Sequence, residues 1–311
     1  MALLPSPVPR SRTKAKLAWL ALARVLDGAS PWARRIGHLA ISGKGAREGA
    51  PVRYRARVEY DGTDFAGFQV QPGARTVQGE LEAALATISG GNRVRVEAAC
   101  RTDAGVHATG QVIAFTDPNG RPAKELVRAL DALLPEDVSI RDVRRVQTEF
   151  NPRYAARYRE YRYTVWNGPR SPLRERFALG VRDQLDIAAM ERAGSVLVGR
   201  HDFSSFGVAH RQPVRTVHSV RIRREGPLVT IDVAADAFLG QMVRRIVAVL
   251  LEVGHGKMSE EAVAEALASR RPAFNGVTAP AKGLCLRRVV LGPMRARTTP
   301  ASTTARSNGE R

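Results

Sequence analysis

The sequence predicts an α+β protein built from two successive halves. Each half contains strand-like segments in which apolar residues alternate with charged ones, and amphipathic segments with helix caps follow them. The order of strands and helices lacks the regular strand-helix-strand rhythm of a doubly wound parallel sheet. At 311 residues, 44% of them hydrophobic, the chain is long enough to bury one large core or two modest ones.

The first half begins at residue 53, where alternate residues up to Tyr60 are apolar or aromatic and the others are charged, a pattern typical of a strand. The turn dipeptide Asp61-Gly62 ends it. Thr76 is placed to cap a helix with one apolar face, and Gly90-Gly91 ends that helix. The apolar face consists of Val77, Leu81, Leu85 and Ile88. Two more strands and a second helix are predicted over 94–98, 111–116 and 123–134.

The second half begins near Phe150. Glu225-Gly226-Pro227 marks the turn of a hairpin, Gly254 ends one helix, and Ser259 is placed to cap another. The predicted strands are 160–166, 217–223, 228–234 and 283–291, and the predicted helices are 186–197, 241–253 and 260–269. The resulting division is an N-terminal domain, 53–149, and a C-terminal domain, 150–292.

The two ends differ in composition from the middle of the chain. Residues 1–52 combine proline and arginine with a short apolar run, and we interpret them as a basic extension: a transit peptide, a flexible tail or an over-long assigned start. Residues 293–311 have no periodicity and are expected to be disordered. Between them, 51–292 still hold 36 basic against 27 acidic residues. Such a surplus attracts polyanions, although a basic solvated surface would have the same composition.

Several function classes are disfavoured. No run approaches the roughly 20 apolar residues of a membrane span. Two cysteines without a CxxC pair predict neither a disulfide scaffold nor a cysteine-rich zinc site, and the six histidines lack metal-ligand spacing. We therefore expect a cytoplasmic protein with no metal.

The loop between the strands predicted at 94–98 and 111–116 contains the candidate catalytic residues. Asp103 lies two residues after Arg101 and four before His107, and Gly105 permits a turn with positive φ. A neighbouring arginine is expected to lower the pKa of the Asp103 carboxyl and keep it ionised. From chemistry alone, the favoured interpretation is that Asp103 and Arg101 form an ion pair that stabilises the loop and that His107 caps a strand.

The string Arg-Thr-Asp-Ala-Gly-Val-His at 101–107 resembles the signature of the tRNA pseudouridine synthase A family. The similarity continues in order from about 53 to 291. The other matching blocks are Glu59-Tyr60-Asp61-Gly62, Thr76-Val77-Gln78, Gly110-Gln111-Val112, Phe150-Asn151-Pro152-Arg153, Tyr161-Arg162-Tyr163, His201-Asp202-Phe203-Ser204-Ser205-Phe206, Ala237-Phe238-Leu239, Met242-Val243-Arg244 and Ala279-Pro280-Ala281.

The resemblance implies two ferredoxin-like (RRM-like) halves with a catalytic cleft between them. It implies an isomerase that converts uridine to pseudouridine at positions 38 to 40 of the tRNA anticodon stem-loop, without a cofactor. Asp103 would be the catalytic residue, attacking ribose C1′ or removing a ribose proton to form a glycal. Arg101 would contact RNA in place of the extruded base, Tyr161 would face the uracil, and Arg244 would pair with Asp103. His107 is interpreted as a supporting residue.

The same residues also have structural interpretations that do not depend on the resemblance. Tyr161 shares one face of a strand with Tyr163 and Val165, which is typical of core packing. Arg244 would need a carboxylate or would extend past its apolar neighbours to solvent. Arg245 is expected to be solvated. The family forms homodimers, so the resemblance also implies a homodimer that binds the tRNA anticodon arm. Candidate phosphate contacts are Arg153, Arg157, Arg159 and Arg162.

Three residues depart from the family pattern: Cys100 replaces a usual glycine, Phe68 a common tryptophan and Asp131 a common asparagine. Two rival functions follow from the residues. A catalytically silent RNA-binding or chaperone protein on the same fold would bind RNA regardless of Asp103. A metal-dependent hydrolase would use Asp103 together with His107.

Overall fold

The computed structural model describes residues 49–271, 274 and 277–292. The predicted extension, 1–52, and tail, 293–311, therefore lie almost wholly outside the described residues. One mostly antiparallel sheet runs through this part of the chain, with the strand order β4-β1-β3-β10-β5-β9-β8-β7; β2 pairs with β3 and β6 with β5. The α+β class predicted from the sequence is confirmed.

The first half supplies four strands and two helices. They are β1 (Val52–Tyr60), α1 (Val77–Ile88), β2 (Glu97–Ala98), β3 (His107–Asp117), α2 (Ala123–Leu133) and β4 (Val138–Arg145). Thr76 caps α1 as predicted, its hydroxyl accepting from the Gly79 N–H at 3.2 Å. Val77, Leu81 and Leu85 are buried beneath it.

In the described residues of the second half there are six strands and four helices, including the short α3. They are α3 (Pro152–Ala155), β5 (Ala156–Asn167), β6 (Leu179–Val181), α4 (Ile187–Val196), β7 (Gly199–Asp202), β8 (Val214–Glu225), β9 (Leu228–Ala235), α5 (Met242–Gly254), α6 (Glu260–Ser269) and β10 (Leu284–Leu291). Ser259 caps α6 as predicted, accepting from the Ala262 N–H at 3.2 Å. The β8–β9 hairpin is also confirmed, with Glu225 opposite Leu228.

Some predicted bounds were wrong. The strand expected over 94–98 is reduced to Glu97–Ala98, and β3 begins at His107 rather than at 111. Ala108 pairs with both β1 and β10, and His107 pairs with β10, a pairing that the local pattern could not indicate. Strands β4, β6 and β7 were not predicted from the sequence.

The two halves of the sequence meet where β3 and β10 run side by side. The pairing is parallel and short, with Cys285 opposite His107 and Leu286 opposite Ala108. A Cβ on Gly110 would lie 2.2 Å from the carbonyl oxygen of Arg287, so only glycine allows this approach. The core is continuous across the junction. The division into domains 53–149 and 150–292 stays a prediction.

None of the helices within the described ranges has the length and apolar character needed to cross a lipid bilayer.

Candidate active site

A cleft of about 640 Å³ opens beside the loop that carries Asp103. Its walls come from both halves of the sequence: the segment from Arg95 to Asp103 on one side, and β5 with the segment from Ala237 to Arg244 on the other. Two of its lining residues are acidic, Glu97 and Asp103. Six are arginines: Arg95, Arg101, Arg153, Arg159, Arg215 and Arg244. The cleft therefore has the electrostatic character of a site for an anionic substrate.

The loop that carries Asp103 is fixed by its backbone. The carbonyl of Thr102 accepts from the Phe68 N–H at 3.1 Å, and the N–H of Gly105 donates to the Phe65 carbonyl at 3.2 Å. The Thr102 hydroxyl also bonds the buried Tyr60 hydroxyl at 2.8 Å. Gly105 adopts φ 75°, as the sequence predicted. These contacts hold the Asp103 side chain at the cleft wall.

Asp103 and Arg244 lie close together in the lining of the cleft. Arg244 Nη1 lies 3.9 Å from Asp103 Oδ2, and the two side chains are 17% and 41% exposed. The guanidinium is held in place by the Ala279 carbonyl, 2.7 Å from Nε, and by the Thr278 hydroxyl, 3.3 Å from Nη2. The structure thus brings together two residues that lie on different halves of the chain.

The expected pKa of Asp103 was wrong in direction. Burial raises the pKa of this carboxyl above its ordinary value, and the charge of Arg244 opposes the rise. Arg101, the residue expected to lower it, is exposed on the cleft wall, and no ion pair joins it to Asp103 among the described residues. The carboxylate therefore depends on Arg244 for its charge partner.

Tyr161 lies at the floor of the cleft. Its ring is 7% exposed and stands edge-on to Phe238, with the ring centroids 5.3 Å apart. The hydroxyl donates to the Cys100 sulfur at 3.8 Å. Burial raises the pKa of Tyr161 well above its ordinary value, so the phenol is protonated at neutral pH.

The three departures from the family pattern are accommodated. Cys100 lies between Tyr161 and the buried Gln111, whose side chain holds the Cys100 carbonyl at 2.9 Å. Phe68 is buried against Tyr60. The carboxylate of Asp131 accepts from the Ile140 N–H at 3.1 Å, a bond that an asparagine oxygen could equally accept.

His107 does not line the cleft. Its ring is buried, Nδ1 accepts from the Gly62 N–H at 3.0 Å, and Nε2 lies 3.2 Å from the Lys282 carbonyl. The metal-dependent hydrolase would need Asp103 and His107 at one site, but of the two only Asp103 lines the cleft. Among the residues described, no group of three histidine, cysteine, aspartate or glutamate side chains could hold a metal ion.

The solvated position expected for Arg245 was wrong, and the structure engages two of the four candidate phosphate contacts within the protein. Arg245 is 5% exposed rather than solvated, and it donates to the Gly207 carbonyl at 2.8 Å. Arg159 is buried and bonds four backbone carbonyls, while Arg162 forms an ion pair with Asp232 at 2.7 Å. Arg153 and Arg157 are exposed, so these two remain candidates for phosphate contact.

Sequence reasoning missed other residues of the cleft. Phe238 belongs to the segment Ala237-Phe238-Leu239, which resembles the family, yet nothing in the sequence showed that its ring would contact Tyr161. Gln241 adopts φ 61°, a left-handed conformation for which a non-glycine residue gives no sequence signal. Tyr154 and Arg215 also line the cleft. An aromatic residue directly after Arg153 was the one available signal for Tyr154.

Several known proteins are similar to this chain. A family model described as tRNA pseudouridine synthase matches residues 56–155 and 193–290, which include Asp103 and Arg244. The chain is 44% identical over 236 residues to the tRNA pseudouridine synthase A of Halalkalibacterium halodurans, covering 75% of this chain and 90% of the relative. It is also 44% identical over 233 residues to that of Geotalea uraniireducens, covering 74% and 95%.

A solved structure of an H/ACA ribonucleoprotein bound to a substrate RNA containing 2′-deoxyuridine is also similar, at 13% identity and a TM-score of 0.29. It covers 78% of this chain and 58% of the other.

Proposed function

Because the chain belongs to the tRNA pseudouridine synthase family, whose members isomerise uridine to pseudouridine, we propose that Asp103 is its catalytic residue and that its substrate uridines occupy positions 38 to 40 of the tRNA anticodon stem-loop. The observation that carries the proposal is the Asp103 carboxylate in an arginine-lined cleft, 3.9 Å from Arg244.

The reaction needs a carboxylate in this setting. The bond from ribose C1′ to uracil N1 breaks, the uracil turns, and a bond from C1′ to C5 forms; the proton on C5 leaves and N1 gains one, so there is no net oxidation or reduction. Asp103 would either attack C1′ or take a ribose proton to give a glycal. Both routes need the ionised carboxylate close to a uridine that has left its stack, and Arg244 supports that ionised form.

The other site residues take supporting roles. Arg244 holds the carboxylate charge, and Arg101, exposed on the cleft wall, contacts the RNA where the base has left. The ring of Tyr161 faces the uracil from the cleft floor, beside Phe238. His107 supports the loop from behind by joining Gly62 to Lys282. No step of the reaction requires a cofactor.

The same proposal includes the partner and the setting. The anticodon arm of tRNA is the substrate, and its phosphates contact distributed arginines, which position RNA without reading its sequence. Two copies of the chain form a homodimer, and the protein acts in the cytoplasm.

The test is release of tritium from [5-³H]uridine-labelled tRNA transcripts, with pseudouridine mapped in transcripts that carry uridine at only one of positions 38, 39 and 40. Wild type is expected to release tritium and Asp103→Asn to release none, because the amide can neither attack C1′ nor take a proton. Asp183→Asn, a change at an exposed carboxylate outside the cleft, is the matched control. Release by Asp103→Asn at the wild-type rate would refute the role of Asp103, and product at other positions alone would refute the site assignment.

A silent RNA-binding protein gives a different pattern. It would bind tRNA with the same affinity in wild type and Asp103→Asn, and neither would form pseudouridine.

A further inference from the structure

Tyr154 is an exposed aromatic residue inside the cleft. It lies in the short helix α3, whose cap Asn151 accepts from the backbone N–H of Arg153 and of Tyr154 at 3.0 and 3.4 Å. The side chain lines the cleft while 43% of the residue remains exposed. Its hydroxyl has no hydrogen-bond partner within the described ranges, and its ring packs against no other ring there. The fold therefore presents this ring to whatever enters the cleft.

Arginines outnumber acidic residues in the cleft around Tyr154. Arg153, next to it in α3, is exposed, and Arg215 and His210 line the same cleft. Arg159 donates to the Arg153 carbonyl at 3.2 Å. This bond anchors α3, while the side chain of Tyr154 stays accessible. A flat ring flanked by arginines is the combination that binds single-stranded nucleic acid, since the ring stacks a base and the cations meet the phosphates.

Tyr161, which also lines the cleft, differs from Tyr154 in burial. Tyr161 is 7% exposed at the floor and its hydroxyl is engaged by Cys100, whereas Tyr154 is largely open. The proposed function gives Tyr161 to the target uracil. The flipped uracil occupies the position beside Tyr161. The exposed ring of Tyr154 is therefore available to the base of a different nucleotide.

We infer that Tyr154 stacks against the base of a nucleotide directly flanking the target uridine. This inference rests on the proposed function and adds a substrate-positioning residue to it. Stacking tolerates any base because every base has a flat π face. A contact of that kind suits an enzyme whose targets occupy several adjacent positions and therefore have different neighbours.

The test couples a change in the protein to a change in the RNA. Wild type, Tyr154→Ala and Tyr154→Phe are assayed by tritium release on tRNA with a single target uridine, and on the same tRNA with an abasic nucleotide placed 5′ or 3′ of the target. Tyr158→Ala is the matched control, because Tyr158 lies on β5 outside the cleft, beneath the side chain of Arg288.

On intact tRNA, Tyr154→Ala is expected to lower kcat/KM by about tenfold, while Tyr154→Phe keeps the ring and stays close to wild type. On tRNA abasic at the stacked position, wild type should lose a similar factor and Tyr154→Ala should add no further loss. Tyr158→Ala should behave as wild type on every RNA.

Two results would overturn the inference: a Tyr154→Ala enzyme as active as wild type, or a tenfold loss that persists on both abasic RNAs. Circular dichroism melting shows whether a loss of activity comes from unfolding. If it does, Tyr154→Leu replaces Tyr154→Ala in the same set of assays. Failure of the proposed function looks different, because wild type itself would then release no tritium from any tRNA.

Discussion

The charge of Arg244 is expected to set the acid limit of activity. Burial raises the pKa of Asp103, and Arg244 opposes that rise from 3.9 Å. Two unit charges at this separation attract by roughly 1 kcal/mol in water and roughly 4 kcal/mol at an effective dielectric constant near 20. Because the Asp103 side chain is 41% exposed, solvent screening favours the lower part of that range, and we take about 2 kcal/mol.

Arg244→Met removes this attraction, so the pKa of the carboxyl rises and a smaller fraction is ionised at any acid pH. The acid limb of the pH profile of kcat/KM should move to higher pH. At a fixed pH on that limb, 2 kcal/mol corresponds to a loss of about 30-fold in rate, and the loss should shrink as the pH rises. Tritium release over a pH series measures this. Arg244→Lys keeps the charge and should retain most of the wild-type limb.

Arg192→Met, which alters an exposed arginine that faces Glu260 at 3.5 Å, is the matched control and should leave the profile unchanged. An Arg244→Met enzyme whose rate falls by one constant factor at every pH would refute the electrostatic reasoning, because the limb would not have moved.

Two further changes test the framework that holds the site. Gly110→Ala should lower the free energy of unfolding by roughly 1–3 kcal/mol and reduce turnover, because its Cβ would lie 2.2 Å from the Arg287 carbonyl oxygen where the halves meet. Urea titration measures the loss. Gly180→Ala is the control in the same titration, since a Cβ there meets nothing within 4 Å. Arg159→Met should cost about 3 kcal/mol by urea titration, since it leaves four buried or half-buried carbonyls without their donor; a loss below about 1 kcal/mol would contradict the role assigned to its hydrogen bonds.

The elements predicted well from the sequence are those that local rules determine. Thr76 and Ser259 were identified as caps from their positions before apolar periodic segments, and both side chains accept the expected N–H. Strand β4 was missed because charged residues interrupt its apolar alternation, and because it pairs with β1 through a register shift between Arg57 and Val58. The early start of β3 depends on its pairing with β10, about 180 residues further along the chain.

The residues of the site also differ in how far the local sequence predicts them. The Asp103 loop is visible as a short polar string, whereas its partner Arg244 lies on a helix far along the chain and was identified through the family resemblance. Neighbouring helix positions differ in direction by about 100°, so Arg244 and Arg245 must face differently. Helix α5 is apolar on most sides, so the sequence could not indicate that Arg245 would turn inward to the Gly207 carbonyl.

The two halves of the sequence have to meet before the proposed chemistry is possible. Asp103 comes from the first half, where burial alone would favour its neutral form, and Arg244, which favours the charged form, comes from the second. The short β3–β10 pairing joins the strand that follows the Asp103 loop to the strand that follows Ala279, the residue whose carbonyl holds Arg244. A displacement of one strand against the other at this junction would change the distance between the two charges. The pKa of Asp103 therefore depends on residues from both halves of the sequence.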